Sequence, residues 1–250
     1  MAKRISRRQD PIVRMIDDAL QPDWSWSQYE ASSVVSELQR AEAEIAKLVG
    51  SEPARAVALY ETLLEACDAT VEEIDDSDGE IVVFAGGLYL GWIKARQAAG
   101  ADAAETARLL LEFIDEDNYG FCDGLVSSAA EVLDRAGLDA LAREARSRLD
   151  KARIARDDPK RPKQPNPNYY LDRWGGMLKT ICLHRGAAHE YIDLTEFTEL
   201  TKVDCHAIAT MFQAKRKPED ALAWVERGLS IGKRRAFEPA GYQLSEMRRA

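Results

Sequence analysis

Two pairs of cysteine and histidine in the last third of the chain carry side chains that can bind zinc. Cys182 and His184 form one pair, Cys205 and His206 form the other, and His189 lies between them. Thiolate and imidazole groups in such numbers suit a tetrahedral zinc ion. The spacing matches neither a zinc finger nor a zinc ribbon, and residues two apart on a helix point to different sides. We therefore expect buried thiols and surface histidines, and whether the two pairs meet in space stays open.

An acidic run in residues 72–80 partly imitates a calcium-binding loop. Asp76-x-Asp78-Gly79 has the order of an EF-hand, but with Gly79 at the sixth position neither the first nor the twelfth residue is a ligand. Asp and Ser before a helix accept hydrogen bonds from its first N–H groups, and acids there favour the helix dipole. We expect Asp76, Ser77 and Asp78 to cap the following helix.

A second acidic cluster lies in a turn-rich segment, at Asp115, Glu116, Asp117 and Asp123. Acidic side chains become catalytic when burial or a metal ion shifts their pKa values. Solvation and helix capping are enough to explain these four acids, and a catalytic pair is the alternative. The chain has three histidines, no GxSxG, no GxxxxGK(S/T) and no GxGxxG. The sequence thus predicts no catalytic, cofactor-binding or metal-binding residue, and a protein that is not an enzyme.

The charge is unevenly distributed. Residues 1–150 carry 15 basic and 30 acidic side chains, whereas residues 151–250 carry 19 and 13, within a total net charge of −9. The basic side chains that could contact phosphates are Lys151, Arg153, Arg156, Lys160, Arg161 and Lys163. Four prolines between residues 156 and 168 exclude a helix there and favour an extended, solvated linker. Binding of nucleic acid by the basic half is the alternative.

Composition indicates a folded protein outside the membrane. Of 250 residues, 46% are hydrophobic and 31% charged, as in ordinary globular chains, and no apolar run reaches membrane-spanning length. Four cysteines without a CxxC pair predict reduced thiols, not a disulfide framework. We expect a cytoplasmic protein without cofactors.

Apolar residues recur at helical spacing through nearly the whole chain, which predicts an all-α fold. Ile81–Phe84 could pass for a strand, but the residues that follow keep the helical period, and a helix apolar over so much of its surface must be central. Gly86, Gly87 and Gly91 would let neighbouring helices approach. We expect one later helix to end at Gly137. Another should bury its apolar residues, namely Val203, Ala207, Ile208, Met211 and Phe212.

One motif occurs twice. Residues 53–64 and 218–229 both read Pro-x-x-Ala-(Val/Leu)-Ala-(Leu/Trp)-(Tyr/Val)-Glu-x-x-Leu. Proline suits the first turn of a helix, and a small residue followed by a bulky one on the same face is typical of the second helix of a helix-turn-helix repeat. We therefore expect an irregular, TPR-like array in which each copy is the second helix of an antiparallel pair.

Three segments together resemble a known family: Asp75–Glu80, Asp117–Gly124 and Pro218–Glu226. In this order and spacing, from about Glu30 onwards, the chain is similar to a bacterial family of all-helical proteins known only as a domain of unknown function. The resemblance implies an α–α repeat fold and no assigned activity. Some relatives carry a SWIM-type zinc module upstream, but its C-x-C is missing here and Cys182-Leu183-His184 stands alone.

These patterns suggest four portions. Residues 1–26 form an arm with a short helix, in which Trp24 and Trp26 cover a core edge. Residues 27–155 form an acidic helical portion, residues 156–168 the basic linker, and residues 169–250 a TPR-like portion that ends without a capping signal, as if cut short. We expect an interaction scaffold with an unidentified protein partner; nucleic-acid association is the first alternative and a metal-dependent enzyme the second.

Overall fold

The computed structural model describes residues 10–20, 28–71, 76, 78–117, 120–122, 124–158, 160, 168–231 and 239–249. Most of these residues are helical and none of them is in a strand, so the all-α prediction is confirmed. Some predictions fall outside the described residues: those on Trp24, Trp26, Ser77 and Asp123, and most of the linker.

Twelve helices occur in the part of the chain that the structure describes. Their bounds are Pro11–Ala19 (α1), Gln28–Leu48 (α2), Pro53–Val71 (α3), Glu80–Ala98 (α4), Ala103–Glu116 (α5), Leu125–Val132 (α6), Arg135–Asp157 (α7), Tyr169–Arg185 (α8), Ala188–Leu194 (α9), Lys202–Ala214 (α10), Pro218–Ser230 (α11) and Pro239–Arg249 (α12). The chain divides into two compact units, residues 1–141 and 142–250. The four portions suggested by composition stay a prediction.

Helix α4 is the centre of the first unit. It contains Ile81–Phe84, which are therefore helical, and packs against α2, α3, α5 and α6. Trp92 and Ile93 on this helix are completely buried. The Trp92 indole donates to Glu61 Oε1 at 3.1 Å, so the largest buried ring also has its polar atom satisfied.

Aspartates fix the starts of three helices in this unit. Asp10 accepts a hydrogen bond from the Ile12 N–H at 2.9 Å, and Asp102 from the Glu105 N–H at 2.8 Å. Asp76 accepts hydrogen bonds from residues further along the chain, namely the N–H groups of Ile81 and Val82 at 3.1 and 3.2 Å. Helix α4 therefore receives its cap from Asp76, as predicted, whereas Asp78 is an exposed turn residue.

The prediction that a helix ends at Gly137 is wrong. Helix α6 ends earlier, where Leu133 is extended, and α7 begins at Arg135. Asp134 supplies the reason, because its carboxylate accepts the Gly137 N–H at 2.7 Å and so caps α7. Helix α7 also runs to Asp157, two residues into the segment predicted to be linker.

Both copies of the duplicated motif are second helices. Helix α3 follows α2 after residues 49–52, and α11 follows α10 after residues 215–217, and each pair is in contact. Contacting helices joined by so short a turn run antiparallel, which fits the predicted helix pairs, whereas the TPR-like array stays a prediction. In the second unit α12 packs on both α10 and α11, and α9 packs on both α8 and α10.

Glycines allow close approach at two of these contacts. A Cβ atom at Gly228 would lie 2.6 Å from Leu244 Cδ1 and 2.8 Å from Cys205 Cβ, and one at Gly91 would overlap the Tyr60 ring. The prediction for Gly91 is thus confirmed. At Gly87 an added Cβ would meet nothing within 4 Å, so that part of the prediction is wrong.

Candidate functional site

A buried polar cluster joins three helices of the second unit. Lys179 of α8 donates to Asp204 Oδ1 at 2.8 Å, and the Tyr191 hydroxyl of α9 donates to the same oxygen at 2.9 Å. Lys179 is 9% exposed and Asp204, on α10, is 5% exposed. A buried charge is tolerated when it is paired and hydrogen-bonded, and both conditions hold here.

The second oxygen of Asp204 is also occupied. Oδ2 accepts hydrogen bonds from the Thr201 N–H at 2.8 Å and from the Thr201 hydroxyl at 2.7 Å. The Asp204 N–H in turn donates to the Thr201 hydroxyl at 3.1 Å, which completes a capping box. Four donors saturate the carboxylate, so it holds α10 in place and has no free lone pair for a metal or a substrate proton.

Asp204 stays ionised in this environment. Burial acts to raise its pKa, but the hydrogen bonds from Lys179 and Thr201 outweigh burial and hold the pKa below its ordinary value of 3.8. Burial, and next the charge of Asp204, raise the pKa of Tyr191, so that its hydroxyl remains a donor.

This cluster was not predicted from the sequence, although two signals for it exist. Thr201 and Asp204 have the spacing of a capping box. Lys179 lies within a stripe of apolar residues, between Leu178 and Ile181, where a charge requires a buried partner. Neither signal indicates that Lys179 and Asp204 are partners, because the two residues meet only through tertiary packing.

The cluster sets which face of α10 is exposed. Asp204 and Cys205 face inwards, and Val203 is therefore 64% exposed. The prediction that Val203 is buried is wrong, and Ala207 is half-buried. Val203, His206, Thr210 and Gln213, at spacings of three, four and three residues, form a surface that we call the α10 outer face; His206 in it is half-buried and the others are exposed.

The cysteines and histidines singled out from the sequence differ sharply in exposure. Cys182 and Cys205 are buried, whereas His184 and His189 are exposed. Burial raises the pKa of Cys182 to about 11 and also raises the pKa of Cys205, so both are thiols at neutral pH. Zinc and electrophiles require the thiolate. The His189 ring stacks edge-on against Phe212 at 5.7 Å.

The acidic segment after α5 is a capped turn. Asp117 accepts hydrogen bonds from the N–H groups of Gly120, Phe121 and Cys122, at 2.9, 3.2 and 2.8 Å. Asp115 and Glu116 are exposed in the last turn of α5. The turn buries Phe121 and Cys122. Burial of the thiol was expected, whereas the sequence did not indicate burial of Phe121, because acids and turn residues surround it.

The described residues contain neither a metal-binding cluster nor a membrane-spanning helix. No three or more His, Cys, Asp or Glu residues among them are arranged to hold a metal ion. No helix among them is long and apolar enough to cross a membrane.

The fold defines an all-α protein, and the α10 outer face is the candidate site of its second unit. The chain belongs to a family of unknown function, DUF6880, whose model matches residues 23–248. This agrees with the resemblance carried by the three motifs, and the match begins after α1. No curated protein matches the chain, and no solved structure matches it.

Proposed function

We propose that this protein is a non-enzymatic interaction scaffold, and that a protein segment binds to its α10 outer face. Val203 carries the proposal. It is a β-branched apolar side chain held 64% exposed next to Asp204, which is 5% exposed and bonded to three other residues. A rigid helix that already exposes an apolar side chain suits recognition of a partner segment, because little ordering is required on binding.

The helix pair α10–α11 supports a repeat scaffold. Its buried residues have the spacing of the 34-residue helix-turn-helix repeat, W-x₂-L-G-x₂-Y followed by A-x₃-F. They are Cys205, Ile208, Ala209, Phe212, Ala221 and Val225. Helix α12 packs on both members of the pair, as the first helix of a next repeat would. Stacked pairs of this kind present one continuous surface to partners.

The engaged carboxylates support a role other than catalysis. Asp76, Asp117 and Asp204 all accept hydrogen bonds from backbone N–H groups, which favours capping over acid–base chemistry. The four cysteines are buried and not joined in disulfides, which suits a reducing compartment such as the cytoplasm. Nucleic-acid association through the basic half is the alternative proposal, and a metal-dependent enzyme comes after it.

Site-specific photocrosslinking tests the scaffold. A photoreactive amino acid replaces Val203 in the full chain inside cells, and covalently captured proteins are identified by mass spectrometry. The control carries the same group at Val83, which is 77% exposed on α4 in the first unit. We expect a partner captured at position 203 and not at position 83.

A binding measurement then quantifies the contact. Val203→Asp places a charge at the anchor and should weaken binding of the captured partner at least tenfold, or about 1.4 kcal/mol. Val83→Asp should leave the affinity unchanged. Equal capture at both positions, or equal affinity of both variants, would contradict the proposal.

A further inference from the structure

Helix α1 lies outside the part of the chain that matches the family model. It spans Pro11–Ala19, whereas the family match begins at residue 23. It packs against both α2 and α3. The family portion thus carries, on α2 and α3, a surface that this chain covers with a helix from outside the matched region.

The contact combines an apolar face with one ion pair. Ile12, Val13 and Ile16 are each at most 8% exposed. Asp10, the cap of α1, is 6% exposed, and its Oδ2 lies 3.0 Å from both Nε and Nη2 of Arg55 in the first turn of α3. Arg55 is held in position from its other side by Glu52, at 3.1 Å.

Helix α1 docks through a defined sequence pattern. An aspartate at the cap meets Arg55, and apolar residues two, three and six positions later face the protein. Arg14, Asp17 and Asp18 on the opposite face are exposed or partly exposed. This is how an amphipathic helix occupies a groove in peptide recognition.

Helix α1 depends on this contact for its structure. Nine residues are too few for a stable helix in water, and three buried apolar side chains must offset the ordering of the whole segment. The contact must therefore supply the free energy that orders α1, and a helix that makes the same contacts would compete with α1 for this surface.

We propose that the surface of α2 and α3 beneath α1 is a helix-docking site, which α1 occupies in cis and which binds in trans a helix of the α1 pattern. The pattern is an aspartate cap followed by apolar residues at the second, third and sixth positions after it. Arg55 selects the aspartate, and α1 acts as a built-in competitor. The proposal concerns the first unit and does not depend on the α10 outer face.

A labelled peptide tests the proposal on full-length protein. The probe is an acetylated, fluorescent peptide of residues 10–20, and its anisotropy is followed with wild-type protein and with the variant Ile12→Asp/Ile16→Asp, which releases α1. We expect the peptide to bind the released variant at least tenfold more tightly than wild type. Adding Arg55→Asp should abolish binding, and a peptide with Asp10→Arg should restore it.

Two outcomes would overturn the proposal. The first is that the released variant keeps its helical circular dichroism and does not bind the peptide. The second is that Arg55→Asp leaves peptide binding unchanged. If the released variant does not fold, hydrogen exchange of the wild type decides. Amides of α1 that exchange at least tenfold faster than those of α3 support a detachable helix, and equal protection shows that α1 is an inseparable part of the unit.

Discussion

The Lys179 ammonium lies 2.8 Å from Asp204 Oδ1 in the interior of the second unit, and both residues are less than one-tenth exposed. The pair links α8 to α10 across 24 intervening residues. A buried pair contributes little relative to an apolar pair of equal size, but removing one partner strands the other charge. The helix that carries the α10 outer face thus depends on this contact.

Lys179→Met should destabilise the protein strongly. The substitution keeps the side-chain length but leaves the Asp204 charge without its cation, which costs about 3–5 kcal/mol for a buried pair. Urea unfolding followed by circular dichroism measures the loss. The double variant Lys179→Met/Asp204→Leu should recover part of the stability, and a double variant no more stable than the single one would show that the two residues do not interact as described.

The contribution of Asp204 to the stability of the fold should be lost in acid. Its folded-state pKa lies below the ordinary value of 3.8, so acidification protonates the unfolded chain first and favours unfolding. The stabilisation is present above pH 3.8 and is lost as the pH falls through the folded-state pKa. The difference in unfolding free energy between wild type and Asp204→Asn should therefore shrink from pH 7 to pH 3. Asp18→Asn, at an exposed carboxylate of α1, serves as the control, and its effect on the free energy of unfolding should be the same at both pH values.

Two glycines of α4 should respond oppositely to the same change. Gly91→Ala forces a methyl group into the buried Tyr60 ring, and overpacking of this kind costs about 1–3 kcal/mol. The methyl group of Gly87→Ala lies in open space on the same helix, so this variant should be more stable to unfolding by about 0.5–1 kcal/mol, because alanine favours the helix. Thermal unfolding of the two variants measures both, and two shifts of equal sign would disprove the close approach of α3 and α4.

Calcium should not stabilise the protein. Both oxygens of Asp76 already accept N–H groups of α4, and the segment lacks the first and twelfth ligands of an EF-hand loop. The melting temperature should therefore stay within about one degree when millimolar calcium is added. A rise of several degrees that Asp76→Ala and Asp78→Ala both abolish would establish a calcium site.

The full chain should not bind random-sequence nucleic acid. The basic segment belongs to a protein of net charge −9, and its acidic portion repels a polyanion over distances near the Debye length of about 8 Å at physiological salt. Anisotropy of a labelled oligonucleotide should stay flat at about 150 mM salt. Micromolar binding that is lost when Lys160, Arg161 and Lys163 are replaced by alanine would favour the nucleic-acid alternative over the scaffold.

The sequence by itself determined the helices, because their signals are local. Asp10-Pro11, Asp102 and Pro218 mark starts, and the three-to-four spacing of apolar residues marks the faces. The prediction from local signals failed at Gly137, because Asp134 caps the helix that begins at Arg135 and outweighs the tendency of glycine to end a helix. The family, too, could be inferred from short motifs in a fixed order.

Only the tertiary structure decided how the helices are rotated and what they cover. Val203 and Asp204 are neighbours in α10, and hydropathy alone would bury the valine and expose the aspartate. The reverse occurs because Lys179 of α8 and Tyr191 of α9 converge on the carboxylate, which Thr201 at the start of the same helix also binds. Four hydrogen bonds outweigh the burial of one valine, and no local pattern records that Lys179 and Tyr191 will meet this carboxylate.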